Sequence, residues 1–203
     1  MHKEILTDEQ VRLLPLVQTF SKQFGLVGGT AIALHIGHRR SVDFDLFSQN
    51  EFQNAVIRQA ITRQNYTIQN VFADEVGQFA FFINEVQFTF LHYPFPLTFT
   101  HILPDVINLP DLLTLAAMKA YALGRRAKWK DYVDLYFIIK DHHSVAEIAA
   151  RAGTIFGDEF NEKVFRAQLA YFNDVNYSEK ITYLTGFAVS DRAIKKQLEE
   201  FSL

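Results

Sequence analysis

The sequence predicts an α/β (α+β) chain, with a mixed, largely antiparallel sheet and flanking helices followed by a helical C-terminal half. Three observations predict it. Runs rich in Phe, Val and Ile at Thr67–Ala73, Gln78–Ile83 and Val86–Tyr93 follow one another closely enough to pair as antiparallel strands. Beyond the proline-marked segment from Pro94 to Pro110 the strand signal fades and helical spacing replaces it. A hydrophobic content of 49% over 203 residues, with 20 Phe and 8 Tyr, suffices to bury a core built from large rings. A boundary near 105 gives an α/β domain over 1–105 and a helical domain over 106–203.

The elements follow in order. Thr7 with Gln10 makes a capping-box signal, and Val11, Leu14, Val17 and Phe20 recur at helical spacing to about Phe24, with Pro15 as a kink. Gly25 ends that helix, Leu26-Val27 begins a short strand, and Gly28-Gly29 turns the chain into a helix from Thr30 to about Ile36. Ser41 to Phe47 reads as a strand with Val42, Phe44 and Leu46 toward the core, and 51–63 as a helix. After the three strands above, Leu112–Leu123, Ala127–Lys140, Ser144–Arg151, Asn161–Tyr171 and Asp191–Phe201 read as helices.

Composition excludes several functions. A formal net charge of −3 argues against a protein that coats DNA or RNA through bulk electrostatics, so any nucleic-acid contact must be local. With no cysteine there is no disulfide, thiolate nucleophile or Cys-ligated zinc. The start Met1-His2-Lys3-Glu4 is too polar for a signal-peptide core, and no run approaches the roughly 18 apolar residues of a membrane span. A cytoplasmic protein with no membrane partner is the expectation.

The informative stretch lies between Gly25 and Phe47. A helix that starts after Gly28-Gly29 presents unpaired backbone N–H groups and the positive end of its dipole, and glycine lets an anion approach with no Cβ in the way. Thr30 can add a hydroxyl. Asp43 and Asp45, two apart on a strand, point to one face about 7 Å apart along the chain and can converge on a cation. Two carboxylates held together repel unless a cation or an arginine offsets them, and Arg39 and Arg40 lie just upstream. Mg²⁺, which is shared between a few carboxylates and substrate phosphates, satisfies that demand.

A second constellation lies further on. From Leu112 to Gly124 the only charged residue is Lys119, which either snorkels to the surface or points at a ligand's phosphates. In Arg125-Arg126-Ala127-Lys128-Trp129-Lys130-Asp131-Tyr132-Val133-Asp134, Asp131 and Asp134 share a helix face; intrahelical pairs of Lys128 with Asp131 and Lys130 with Asp134 would explain them without a ligand.

The order Gly28-Gly29-Thr30, then His38-Arg39-x-Ser41-x-Asp43-Phe44-Asp45-Leu46-Phe47, resembles the signature of nucleotidyltransferases related to DNA polymerase β, in the form seen in the AbiEii/AbiGii toxin family. Lys119, Arg125 or Arg126, and Lys130-Asp131-x-x-Asp134 resemble that family's later motifs. The resemblance spans about residues 25–136. It implies a nucleotidyltransferase fold, NTP as substrate, Mg²⁺ on Asp43 and Asp45, and the triphosphate on Gly28, Gly29 and Thr30. It further implies support from Arg39, Ser41, Arg125 and Arg126, and catalytic roles for Lys119 and Asp131. An RNA acceptor, tRNA-like, and an antitoxin partner belong to the same expectation, with the active site between the two halves.

One departure matters. The superfamily carries a third carboxylate on a later strand, where this chain has Val86-Gln87-Phe88-Thr89-Phe90, so Thr89 or Gln87 takes that place. Glu85, Asp74 and Glu75 are the nearby acids. A small-molecule nucleotidyltransferase and a catalytically degenerate nucleotide-binding module are the rival readings. The histidines show no metal pattern; His142-His143 falls at a helix end, and His92, Tyr93 and Phe95 serve either packing or base stacking.

Overall fold

The first helix, α1 (Asp8–Thr19), begins where the sequence signals it: the Thr7 hydroxyl accepts from the Gln10 backbone N–H while the Gln10 side chain accepts from the Thr7 backbone N–H. Its inner face is Gln10, Leu13, Leu16 and Val17, continued by Phe20. Val11, expected inside, is exposed, because the reciprocal cap turns Gln10 inward and rotates its neighbour out. The computed structural model describes all 203 residues, and the chain divides into two compact units, Met1–Asp111 and Leu112–Leu203.

In the first unit α1 is followed by β1 (Gly25–Val27), α2 (Gly28–Ile36), β2 (Phe44–Ser48), α3 (Asn54–Arg63), β3 (Gln69–Glu75), β4 (Gln78–Ile83) and β5 (Val86–His92). The sheet order is β1-β2-β5-β4-β3. The β2/β5 pair is parallel and every other pair antiparallel, which gives the mixed, largely antiparallel sheet of the sequence reading. The β2-to-β5 crossover carries α3 and the β3–β4 hairpin. One sheet face is a slab of rings: Phe44, Phe79, Phe81, Phe88 and Phe90 are all fully buried, with Phe81 stacked on Phe88 at 5.8 Å and Phe20 edge-on to Phe90 at 4.8 Å. Each such ring stabilises the fold by roughly 1.5–3 kcal/mol, so this row anchors β2 firmly.

One expectation fails here. Val42 is 48% exposed, because the ladder starts only at Phe44 and strand alternation has no meaning before it. The proline-marked segment also carries structure the sequence did not signal: β6 (His101–Leu103) and β7 (Ile107–Leu109) form a hairpin that buries Leu103, Ile107 and Leu109. Strands of three residues are too short for alternation to show.

The second unit is helical: α4 (Leu112–Leu123), α5 (Trp129–Asp141), α6 (Val145–Phe156), α7 (Glu162–Leu169) and α8 (Asp191–Phe201). Ser144 with Glu147 forms a capping box on α6, and Asn161 and Ser190 cap α7 and α8. α5 begins at Trp129 rather than Ala127. The backbone of Ala127 and Trp129 bonds instead to Asn176, at 2.8 and 3.0 Å, which holds Lys128 extended. No helix is long and apolar enough to cross a membrane.

Candidate active site

The glycine turn is built as an anion-facing corner. Val27, the last residue of β1, leads directly into α2; Gly28 takes φ 72°, and Val27, the N-cap residue, supplies no side-chain cap. A Cβ on Gly28 would overlap the Asp45 carboxylate, and one on Gly29 would lie 2.7 Å from Arg39 Nη2 and 3.0 Å from Ser41 Oγ. The bare backbone is therefore what lets the Asp45 carboxylate, the Arg39 guanidinium and the Ser41 hydroxyl close on one helix N-terminus. Arg39 is buried and further held by Nη1 donating to the Arg40 carbonyl at 3.0 Å, whereas Arg40 is exposed and donates to Leu6 O.

Thr30 plays a different part from the one expected. Its hydroxyl donates to the backbone carbonyl of Asp43, so it ties the turn to the acidic strand rather than offering a donor to a ligand. Asp43 immediately precedes β2 and Asp45 is its second residue, and both are half-buried. Their anchoring comes from Phe44 and Leu46 on the opposite face, both fully buried.

Across the sheet Asp45 lies in register with Val27 of β1 and Thr89 of β5. Thr89, which accepts from Gln87 Nε2 at 3.2 Å, thus occupies the strand position beside the carboxylate. The alternative acids do not replace it. Asp74, on the edge strand β3, accepts from Asn54 at 2.7 Å and Arg58 at 2.6 Å, and these two bonds hold its carboxyl below the ordinary value. Glu85 lies in the β4–β5 turn at φ 67°, off the strand on which alternation would have aimed it with Gln87.

Whether Mg²⁺ fits rests on the donors and the cradle. Asp43 and Asp45 are oxygen donors that keep partial exposure, next to the N-terminus of α2. No group of three or more His, Asp or Glu side chains gathers as a metal cage. An ion that keeps its waters and shares one or two carboxylates with substrate phosphates suits this pair.

The second constellation has another character. Lys119 is buried, its side chain 6% exposed, and its ammonium pairs with Asp131 Oδ1 and, at 3.2 Å, with Asp134 Oδ2, both on α5 and fully buried. It neither snorkels nor stands as a lone cation; it neutralises two acids that could not be buried without it. Arg126 completes the group, Nε lying 3.4 Å from Asp131 Oδ2 with its side chain 53% exposed. Arg125 does not join it. Its guanidinium lies 3.5 Å from the Tyr121 ring and 3.5 Å from Glu159.

Lys128 and Lys130 share a partner the sequence reading missed. Both pair with Glu179, 51 residues beyond Lys128, a separation at which no periodicity could signal it. Burial works against the charged form of Glu179, yet the bonds and charge of Lys130 and Lys128 outweigh it and bring the carboxyl down to about 2. Elsewhere, Tyr93 packs on Phe47 at 5.1 Å and Phe95 at 5.2 Å, and His142 ends α5 as expected.

A glycine turn at a helix N-terminus, flanked by alternate carboxylates and a buried arginine on a mixed sheet, is an arrangement suited to a phosphorylated, metal-bound ligand. The chain belongs to the AbiEii family, nucleotidyl transferase toxins of type IV toxin–antitoxin systems, whose profile matches residues 16–200. An uncharacterized protein of Aquifex aeolicus is 29% identical over 126 residues, 59% of this chain, and the chain spans 59% of that relative's length. The fold is similar to that of MenT4, a nucleotidyltransferase toxin from Mycobacterium tuberculosis H37Rv, with TM-score 0.63, 15% identity, and coverage of 95% of this chain and 80% of that one. It is also similar to a putative nucleotidyltransferase from H. pylori (TM-score 0.52, 14% identity, 83% and 76% covered) and to JHP933 from Helicobacter pylori (0.51, 14%, 97% and 96%).

Proposed function

We propose that this chain transfers a nucleoside monophosphate from an NTP to an acceptor hydroxyl on RNA, tRNA-like, and that it acts as the toxin of a toxin–antitoxin pair. The observation that carries the chemistry is the closure of Asp45, Arg39 and Ser41 on the Gly28-Gly29 turn. Family membership supports nucleotidyl transfer as the reaction class. The RNA acceptor and the antitoxin extend that support.

In this reading the α2 N-terminus and the Arg39 guanidinium receive the triphosphate, and Thr30 fixes the distance between turn and strand through Asp43. Asp43 and Asp45 would hold Mg²⁺, which supplies charge neutralisation at the α-phosphate and activation of the hydroxyl. The acceptor oxygen bonds to the α-phosphorus, the bond to the β-phosphate bridging oxygen breaks, pyrophosphate leaves and the hydroxyl proton passes to water. Arg126 is the half-exposed cation of the second group, with Lys119 and Asp131 setting its place.

The test is incubation of purified protein with each α-labelled NTP, Mg²⁺ and total cellular RNA, followed by separation of the products. Label on RNA, with release of pyrophosphate, is the expected result. Label on a small alcohol alone would move the acceptor to small molecules. The threonine beside Asp45 favours one rival, a binding-only module; NTP binding without pyrophosphate release under any acceptor would establish it.

A further inference from the structure

The run Arg125-Arg126-Ala127-Lys128-Trp129-Lys130 has four cations in six positions, and each meets an acid of its own unit. Glu179 divides its two oxygens, Oε1 at 2.9 Å from Lys128 Nζ and Oε2 on Lys130 Nζ. Glu159 reaches Arg125 at 3.5 Å and accepts from the Tyr121 hydroxyl at 2.6 Å. These two acids lie outside the α-helices and strands, and their side chains are 43% and 57% exposed. The Lys128–Glu179 and Arg125–Glu159 pairs join side chains that are each more than a third exposed and contribute little to stability, so an incoming anion displaces them at small cost; Lys130, 17% exposed, is the tighter end of the Glu179 bridge.

A carboxylate whose two oxygens are shared between two ammonium groups occupies the place of a phosphodiester bridging two lysines. Arg125 adds a second feature. Its guanidinium lies on the Tyr121 ring, which is itself stacked on Phe156 at 4.0 Å, giving a fixed planar surface of the sort on which a nucleobase stacks. An acidic peptide would have no use for that surface.

We infer that residues 125–130, with Lys128, Lys130 and Arg125 as the contacts, form a phosphate-tracking segment for single-stranded RNA, and that Glu179 and Glu159 are built-in competitors which RNA displaces. The inference rests on the RNA-acceptor reading above. It reconciles that reading with a net charge of −3, since the cations are local and masked in the free protein.

The experiment is fluorescence anisotropy of a labelled single-stranded RNA with the full chain, in EDTA and without NTP, across a KCl series. Glu179→Gln tightens binding about fivefold, the effect of removing one exposed competing carboxylate. Glu159→Gln, a second variant on the Arg125 side of the run, tightens binding about twofold, and Lys128→Glu weakens it. Unchanged affinity in both glutamine variants, or equal tightening toward poly-glutamate, overturns the inference. Because no NTP is present, the outcome is scored separately from label transfer by the wild type: tightening without any transfer would retire the acceptor reading and leave the RNA-binding segment standing.

Discussion

Both charged constellations of this chain contain two aspartates and basic side chains, yet they are built on opposite principles. Asp43 and Asp45 are half-buried at the start of a strand, and the Asp45 carboxylate lies against the glycine turn that begins α2. Asp131 and Asp134 are wholly buried on α5 and are neutralised from within by Lys119. The contrast separates two acids that keep contact with solvent beside a glycine turn from two that are sealed with a cation of their own, which could not be buried without it. Removing a charge from the first should cost activity, and from the second, stability.

The largest expected effect is on the open pair. Asp45→Asn lowers label transfer about a thousandfold, several kcal/mol of lost transition-state stabilisation, and leaves the thermal unfolding midpoint nearly unchanged. A variant that unfolds early would merge the two regions into one structural class. Lys119→Met should do the reverse in emphasis: two buried carboxylates lose their cation, and denaturant unfolding shows a loss of about 3–5 kcal/mol. Pairing it with Asp134→Asn recovers part of that loss, which a double-mutant cycle reads directly.

How much of this was legible in the sequence follows from the same contrast. Gly28, Gly29, Asp43 and Asp45 lie within eighteen residues of one another, so turn and strand periodicity alone suggested their meeting. Lys119 was recognisable as a charge needing a partner, but its pairing with Asp131 and Asp134 depends on how α4 meets α5, which periodicity does not encode. Lys128 had an acid at good helical spacing and pairs with Glu179 instead, because the backbone bonds to Asn176 keep Lys128 out of the helix. Val42 was misread and the β6–β7 hairpin missed for a related reason: alternation works only inside a ladder long enough to display it. The five C-terminal helices were readable, since caps and apolar spacing act locally.

Smaller effects sharpen the comparison. Gly28→Ala forces a side chain into φ 72° and against the Asp45 carboxylate, costing about 1–2 kcal/mol of stability and displacing the acid. Transfer should fall with it, and activity retained at full level would show that Asp45 tolerates the displacement. The weakest effect concerns pH. The Glu179 carboxyl is depressed from 4.5 to about 2, so its stabilising contribution is complete above about pH 4.5 and fades as pH falls toward 2. Unfolding of wild type and Glu179→Gln should therefore differ by a constant amount above pH 4.5 and converge below it.

The central claim is that metal and nucleotide meet at the Gly28–Asp45 corner. Mn²⁺ electron paramagnetic resonance with a non-hydrolysable NTP tests it most directly. The account predicts that Asp45→Asn loses nucleotide-dependent Mn²⁺ binding while Asp134→Asn, scored on its folded fraction, retains it. Undiminished Mn²⁺ binding in Asp45→Asn, with loss in Asp134→Asn, would contradict it.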